Sequence, residues 1–178
     1  LIAIVNDFLD MSRLEQGRME YKKEQVDLVE IVDKVIKDLN ESATEKGIEL
    51  KIEGESSLKN MIDPGKFEQI MFNLVGNSLK FTDKGSITVM IKKEADLVKI
   101  EVEDTGNGIA PENQSLLFHK FQQAGKSTIT RDGSKGTGLG LYISRLMAEG
   151  MGGTIKLVSS QVGKGSIFGI SLPITKEK

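Results

Sequence analysis

The chain has 178 residues, of which 38% are apolar and 28% charged, with a formal net charge of -2 and no cysteine. This composition is typical of one globular domain with at most a short appendage, and it excludes disulfides and thiolate metal sites. Because the chain has neither a basic run of five residues nor a membrane-length apolar run, we expect a cytoplasmic domain that binds no nucleic acid.

The first 21 residues predict a helix that ends near Tyr21. One face carries the apolar residues Leu1, Ile4, Val5, Phe8 and Met11, and Ile2 and Leu9 widen it. A helix that is apolar on nearly all sides packs within a bundle. It begins without an N-cap residue, so we expect the chain to be cut from a longer protein.

The remaining chain predicts helices and strands that alternate within one domain. Helices are expected at 28–46, where Gly47 follows as a C′ residue, at 64–81, at 111–121 and at 137–150. Strands are expected at 48–54, 59–63, 86–93, 97–104, 153–160 and 165–173. The simplest packing is an α+β, two-layer α/β sandwich: a mixed, mostly antiparallel sheet covered by helices on one face, with an N-terminal bundle helix.

A polar stripe follows the helix at 64–81. Asn73, Asn77 and Lys80 are spaced four and three residues apart, so they share a face. The neighbouring apolar stripe consists of Phe67, Ile70, Leu74 and Phe81. Two asparagines at the edge of a core need hydrogen-bond partners. They are either ordinary satisfied side chains or part of a polar site.

Asp104 is out of place in the strand pattern of 97–104. Alternation puts Val98, Ile100 and Val102 on one side of the strand, and Asp104 falls on that apolar side. A buried carboxylate needs a partner. The glycines that follow, within 105–108, allow a sharp turn and close approach of a ligand. The alternative is a strand that ends in an aspartate-capped turn.

A glycine-rich run, 136–140, opens the last predicted helix. Successive N–H groups at a helix N-terminus can bind an anion. The run is not a dinucleotide fingerprint, because Leu141 stands where its last glycine is needed. Nor is 125–127 the end of a P-loop, because Lys120 stands where its first glycine is needed. The alternative to an anion site is that these glycines only keep a loop mobile.

Four ordered motifs, taken together, resemble the ATP-binding domain of sensor histidine kinases, in the superfamily of gyrase, Hsp90 and MutL ATPases. NLVGNSLKFT at 73–82 is similar to the N box, and DTGNGI at 104–109 to the first glycine box. LFHKFQQA at 117–124 is similar to the F box, and GTGLGL at 136–141 to the second glycine box. MSRLEQG at 11–17 resembles the close of the second helix of the dimerisation and phosphoacceptor hairpin.

The resemblance implies ATP and Mg²⁺ as cofactors. Asp104 would accept a hydrogen bond from the adenine amino group, Asn77 would place its amide oxygen on Mg²⁺, and Asn73 and Lys80 would act at the metal or phosphates as catalytic residues. The implied nucleotide-binding residues are Asn77, Lys80, Asp104, Gly106, Gly108, Ile109, Phe118, Phe121, Gly136, Thr137, Gly138, Leu139 and Gly140. Residues 122–135 would form a lid, and the residue that meets the γ-phosphate is left open among Lys126, Arg131 and Lys135.

His119, the single histidine of the chain, is not expected to be the phosphoacceptor. In the resembled family the acceptor lies on the first hairpin helix, whereas His119 lies in the F box, where we expect a surface residue beside the lid. Phe118 and Phe121 would anchor the lid and help engage the hairpin, unless they are ordinary core residues.

The resemblance therefore implies a histidine protein kinase that moves the γ-phosphoryl of ATP to a histidine absent from this chain. Residues 1–22 would be half of the hairpin and 23–178 the catalytic domain. The implied partners are the histidine-bearing hairpin and a response-regulator receiver domain, in a homodimeric parent. The first alternative is an ATPase of the same superfamily, but those enzymes use a glutamate where Asn73 stands. The second is a catalytically silent nucleotide-binding module.

Overall fold

A computed structural model describes residues 2–122 and 138–175 of the chain. The helices are α1 Ile2–Glu15, α2 Leu28–Glu45, α3 Pro64–Phe81, α4 Pro111–Gln114 and α5 Gly140–Gly150. The strands are β1 Glu24–Asp27, β2 Ile48–Gly54, β3 Lys59–Ile62, β4 Gly85–Glu94, β5 Leu97–Asp104, β6 Thr154–Gln161 and β7 Gly165–Pro173. None of these described helices is both long enough and apolar enough to cross a membrane.

The main sheet has five strands in the order β2-β4-β5-β7-β6. Only the β2–β4 pair is parallel, and the other three pairs are antiparallel. Strands β1 and β3 form a separate antiparallel ribbon. Helices α2, α3 and α5 cover one face of the main sheet, which confirms the predicted two-layer sandwich and its mixed, mostly antiparallel sheet.

The core lies between that face and the helices. Strand alternation sends Val89 and Ile91 of β4 inward, opposite Val102 and Ile100 of β5. The next pair in the same row is Ile87 with Asp104, so the register places a carboxylate at the end of an apolar row. From the helix side, α3 contributes the fully buried residues Phe67, Ile70, Met71 and Leu74.

Aspartates start the two long helices that cover the sheet. The Asp27 carboxylate accepts a hydrogen bond of 2.9 Å from the Val29 N–H at the start of α2. Asp63 accepts one of 2.9 Å from the Lys66 N–H at the start of α3, and Pro64 occupies the first turn. Such bonds satisfy N–H groups that have no partner within the helix. The caps therefore fix where both helices begin.

Three predicted helices are shorter than expected, and the last of them, expected from residue 137, begins at Gly140. Helix α1 ends at Glu15, not near Tyr21, because Gly17 adopts a left-handed φ of 63° and the Arg18 N–H bonds back to the Arg13 carbonyl. Such a glycine terminates a helix even where the following residues are good helix formers. The helix predicted at 111–121 is a single turn, Pro111–Gln114, followed by turns.

Candidate functional site

Asp104 ends β5 on the helix-covered face and is 6% exposed. Its Oδ1 accepts a hydrogen bond of 2.9 Å from the Gly106 N–H, and its Oδ2 lies 3.4 Å from the Ser78 hydroxyl. Burial raises the pKa of Asp104, although hydrogen bonds from Gly106, Ser166 and Ser78 pull it down. The Oδ2 bond is long, so this oxygen retains capacity for a further donor.

The turn after Asp104 requires glycine at two positions. A Cβ on Gly106 would lie 2.4 Å from the Phe81 carbonyl oxygen and 2.7 Å from Thr82 Oγ1. Gly108 has a φ of 66°, and a Cβ there would lie 2.0 Å from the Gln161 carbonyl oxygen. Any side chain would push the turn away from the end of α3 or from the β6–β7 connection.

The same turn is held by hydrogen bonds on both sides. The Asn107 N–H donates to the Phe81 carbonyl at 3.1 Å, and the Asn107 carbonyl accepts from the Gly163 N–H at 2.8 Å. The Ile109 N–H donates to Ser160 Oγ at 2.8 Å. Asp104 is therefore presented from a fixed backbone.

The two asparagines of α3 lie together, as their spacing predicts. Asn73 donates a hydrogen bond of 2.7 Å to Ser144 Oγ of α5, and Asn77 Nδ2 lies 3.5 Å from Asn73 Oδ1. Both side chains are partly buried. Asn73 thus has a partner within the fold, and its orientation is set by α5 as well as by α3.

The N-terminus of α5 meets this polar stripe directly. A Cβ on Gly140 would lie 2.5 Å from Asn73 Oδ1, so only glycine allows this approach. Gly138 has a φ of 71°, and Leu139 is 2% exposed and anchors the helix start in the core. The structure therefore joins the N box to the end of the second glycine box.

Five predicted residues lie outside the described part of the chain. They are Gly136, Thr137, Lys126, Arg131 and Lys135. The expectations for them, and for a lid over 122–135, remain predictions.

Lys80 and Phe81 at the end of α3 are both exposed. Phe81 is 51% exposed, so its placement in the apolar core stripe was wrong. The helix ends there, although Leu79 before it and Thr82 after it are buried. The Lys80 ammonium lies 5.5 Å from the centre of the Phe81 ring. The backbone carbonyl of this exposed phenylalanine accepts the Asn107 N–H, so the end of α3 adjoins the turn after Asp104.

The F-box phenylalanines have different environments. Phe118 is half-buried and packs edge-on against Phe168, with 6.3 Å between ring centres, which is ordinary core packing. Phe121 is 62% exposed and has a φ of 58°, which is costly for an aromatic residue. His119 between them is exposed, as predicted for a surface residue.

A groove of about 530 Å³ runs between α3 and α5, and Asn73, Gly140 and Ser144 line it. Among the residues that the structure describes, no group of three or more acidic, histidine or cysteine side chains could hold a metal ion. Any cation bound here by these residues would use amide oxygens, together with oxygens of its own ligand and water.

The sequence patterns did not identify three residues of the candidate site. Ser78 lies between Leu74 and Phe81 on the apolar stripe. A serine at such a position predicts a buried hydroxyl group. Thr82 is fully buried beside Gly106, and its hydroxyl has no hydrogen-bond partner among the residues that the structure describes. Ser144 holds Asn73 from α5, a pairing that no spacing in the sequence could show.

A sheet covered by helices on one face carries a buried carboxylate at one strand end and a glycine-rich helix start against Asn73, an arrangement that can accept a hydrogen-bond donor at the carboxylate and bind an anion at the helix start. A family model for histidine kinase-, DNA gyrase B- and HSP90-like ATPases matches residues 62–176. The chain belongs to this family, and within it is an ATP-binding catalytic domain of the histidine kinase type.

Named relatives and solved structures agree with this assignment. The histidine-protein kinase BarA of Escherichia coli strain K12 is 39% identical over 94% of this chain and 19% of its own length. The autoinducer 2 sensor kinase/phosphatase LuxQ of Vibrio cholerae is 39% identical over 98% of this chain and 21% of its own. The chain thus spans about a fifth of the length of either relative.

Two solved structures share the fold. Full-length ShkA in complex with AMPPNP has a TM-score of 0.85 at 30% identity, over 98% of this chain and 36% of that one. The catalytic domain of the histidine kinase ThkA, in a nucleotide-free form, has a TM-score of 0.74 at 25% identity, over 89% and 100% of the two chains.

Proposed function

We propose that this domain binds Mg-ATP and transfers the γ-phosphoryl group to a histidine on a hairpin helix of its parent kinase. The observation that carries the proposal is the contact between Asn73 and Gly140, which joins an amide stripe to a helix N-terminus. Backbone N–H groups there attract phosphate, and the amide oxygens suit a hard cation.

The adenine end of the site is assigned to Asp104. Its Oδ2 lies at the long distance of 3.4 Å from the Ser78 hydroxyl and can accept a further hydrogen bond from the adenine amino group. The Phe81 carbonyl contacts the same turn, and the exposed Phe81 ring would offer an apolar surface to the base or ribose. We thus assign recognition of the purine to the Asp104 carboxylate and the Phe81 ring.

The phosphate end is assigned to α3 and to the start of α5. Asn77 would hold Mg²⁺ through its amide oxygen, Asn73 would assist, and Lys80 would reach the phosphates as a point charge. Gly138 and Gly140, with Gly136 before them, would let backbone N–H groups approach the phosphate tail. When bound, Mg²⁺ neutralises part of the charge on the transferring phosphoryl group.

Transfer to histidine needs little from the domain besides position. A neutral imidazole nitrogen is nucleophilic near pH 7. Its bond to phosphorus forms as the bond from phosphorus to the bridging oxygen breaks, and ADP leaves. Asn73 is an amide and cannot take a proton from water, whereas a glutamate could. This difference favours transfer over hydrolysis.

We assign residues 1–22 to the second helix of the hairpin and its exit, and residues 23–178 to the catalytic domain. The parent protein would be a homodimer in the cytoplasm or with this part facing it. Its phosphorylated hairpin would pass the phosphoryl group to a response-regulator receiver domain.

The test is to mix the protein with γ-labelled ATP, then add a separate protein that carries the parent's full hairpin. Acid-labile, base-stable label is expected only on the added protein. Label on this chain alone that disappears in His119→Gln would make His119 the acceptor. Steady phosphate release at several turnovers per minute would indicate an ATPase, and no Mg-ATP binding in calorimetry would indicate a silent module.

A further inference from the structure

Glu15, at the end of α1, contacts two residues that lie far from it in the sequence. The Tyr142 hydroxyl donates a hydrogen bond of 2.6 Å to Glu15 Oε1. The Lys120 ammonium forms an ion pair with the same oxygen. Hydrogen bonds from Lys120 first, and then from Tyr142, hold the pKa of Glu15 below its ordinary value. We call these three residues the Glu15 cluster.

Lys120 lies at one edge of the phosphate end of the candidate site. It directly precedes Phe121 and Gln122. A Cβ on Gly138 would lie 3.0 Å from the Gln122 carbonyl oxygen and 3.0 Å from the Phe121 carbonyl carbon. The segment that carries Lys120 is therefore in backbone contact with the glycine turn before α5.

Tyr142 lies at the other edge, in the first turn of α5. It follows Gly140 by two residues, and Gly140 packs against the Asn73 side chain. A shift of the Tyr142 side chain along with its helix would move Gly140 away from Asn73. Glu15 thus joins, from outside the domain, the two segments that meet at the proposed phosphate site.

Besides its ion pair, the Glu15 cluster includes contacts between cations and the Tyr142 ring. The Lys120 ammonium lies 5.5 Å from the centre of the Tyr142 ring, and the Arg145 guanidinium lies 5.3 Å from it. The Tyr142 ring therefore has two cations near its face, where such contacts are favourable. Exposed ion pairs contribute little to folding stability, so a substitution that breaks the cluster should leave the fold intact.

Other contacts hold helix α1 and the segment that follows it, so a displacement of α1 would strain the Glu15 cluster. Gln69 of α3 donates a hydrogen bond of 3.3 Å to Asp10, and Met11 is buried. After α1, the Lys22 N–H donates to the Asp63 carboxylate at 2.8 Å, which anchors the connecting segment to the start of α3. A displacement of α1 is thus concentrated at its own contacts with α3 and α5.

We propose that Glu15 is a positioning residue for the nucleotide, and that it makes ATP affinity depend on where α1 lies. This inference rests on the proposed function, because it assumes that ATP phosphates occupy the site between Asn73 and Gly140. Linkage is reciprocal, so ATP binding must in turn strengthen the contacts of α1. The cluster therefore transmits a displacement of α1 to the nucleotide site.

The experiment measures ATP and adenosine binding by calorimetry in Glu15→Gln and Tyr142→Phe. The second variant keeps the ring and its cation contacts and removes only the hydroxyl. ATP should bind about twofold to fivefold more weakly to each, the range that one exposed charged pair accounts for. Adenosine should bind as it does to the parent protein, because it lacks the phosphates that the cluster positions.

Two further variants make the result specific. Lys34→Gln breaks another exposed pair between helices, Lys34 with Glu68 at 2.7 Å, and should leave ATP affinity unchanged. The double variant Glu15→Lys with Lys120→Glu restores an ion pair with its charges exchanged, though not the hydrogen bond from Tyr142 to Glu15, and should bind ATP more tightly than Glu15→Lys alone. Amide hydrogen exchange of residues 2–15 should slow on ATP addition in the parent and less in Glu15→Gln.

Three results would overturn the inference. Equal ATP affinity in the parent and Glu15→Gln would refute positioning and leave the proposed function intact. Equal weakening of ATP and adenosine, with a lower melting temperature, would show that Glu15 only supports the fold. A parent protein that binds no ATP would refute the proposed function itself, and this inference with it.

Discussion

Replacing Asp104 by asparagine tests the adenine assignment most directly. The substitution conserves shape, and the amide oxygen can still accept the hydrogen bond from the Gly106 N–H. The second carboxylate oxygen becomes an NH₂ group. It would face the Ser78 hydroxyl and the adenine amino group as a donor, where an acceptor is needed.

The magnitude follows from the burial of this position. Asp104 is 6% exposed, so water cannot easily replace the lost acceptor. A buried polar group left without its partner costs about 1–3 kcal/mol. ATP affinity should therefore fall by about fivefold to more than a hundredfold.

Calorimetric titration with ATP, and separately with adenosine, provides the assay. Both ligands should weaken by the same factor, because they share the base. Glu103→Gln is the matched control: this neighbouring carboxylate is exposed on β5 and should leave both affinities unchanged. If Asp104→Asn binds ATP as tightly as the parent, the adenine does not bond to Asp104 and the assignment is wrong.

Three further predictions concern the metal, the glycines and pH. Asn77→Ala should weaken Mg-ATP more than metal-free ADP in a binding assay, and equal losses would indicate a role in folding alone. Gly106→Ala should lower stability by about 1–3 kcal/mol in urea unfolding, because its Cβ would overlap the Phe81 carbonyl. Gly76→Ala on α3, where a Cβ meets nothing within 4 Å, should instead raise stability by about 0.5–1 kcal/mol. Because burial raises the pKa of Asp104, the folded state holds that proton more tightly than the unfolded state. The contribution of Asp104 to the free energy of unfolding should therefore fall as pH rises from the ordinary aspartate pKa through the raised one, so the ligand-free parent should lose stability relative to Asp104→Asn over that range.

The spacing of apolar residues, together with the residues that typically start or end helices, predicted most of the fold. Strand alternation located β4 and β5 and placed Asp104 on the inner face, where the structure has it. Pro64 and Gly47 marked a helix start and a helix end correctly. These features depend on residues close in sequence, and so they can be read from it.

Other features depend on contacts between distant segments. The end of α1 at Glu15 is a local exception, because Gly17 ends the helix where the spacing of apolar residues alone predicted that it continues. Strand β1 has no apolar alternation and exists because it pairs with β3. Phe81 fits the apolar periodicity of α3, but its side chain is 51% exposed in the folded chain. For the candidate site, the resemblance placed the N box and the second glycine box in one site, and Asn73 does lie against Gly140. Ser144 became visible only through the packing of α5.

The single parallel pair of the sheet affects how this chain folds. The β4–β5 and β6–β7 pairs are hairpins whose strands are joined by short turns, so they can form early from local sequence. Strand β2 pairs Ile48 with Gly85, across β3 and the whole of α3. Closing so long a loop is slow, and the contact becomes favourable only after the intervening helix has formed. We expect β2 to dock last and to open first, so its amides should exchange with solvent faster than those of β5 at the centre of the same sheet.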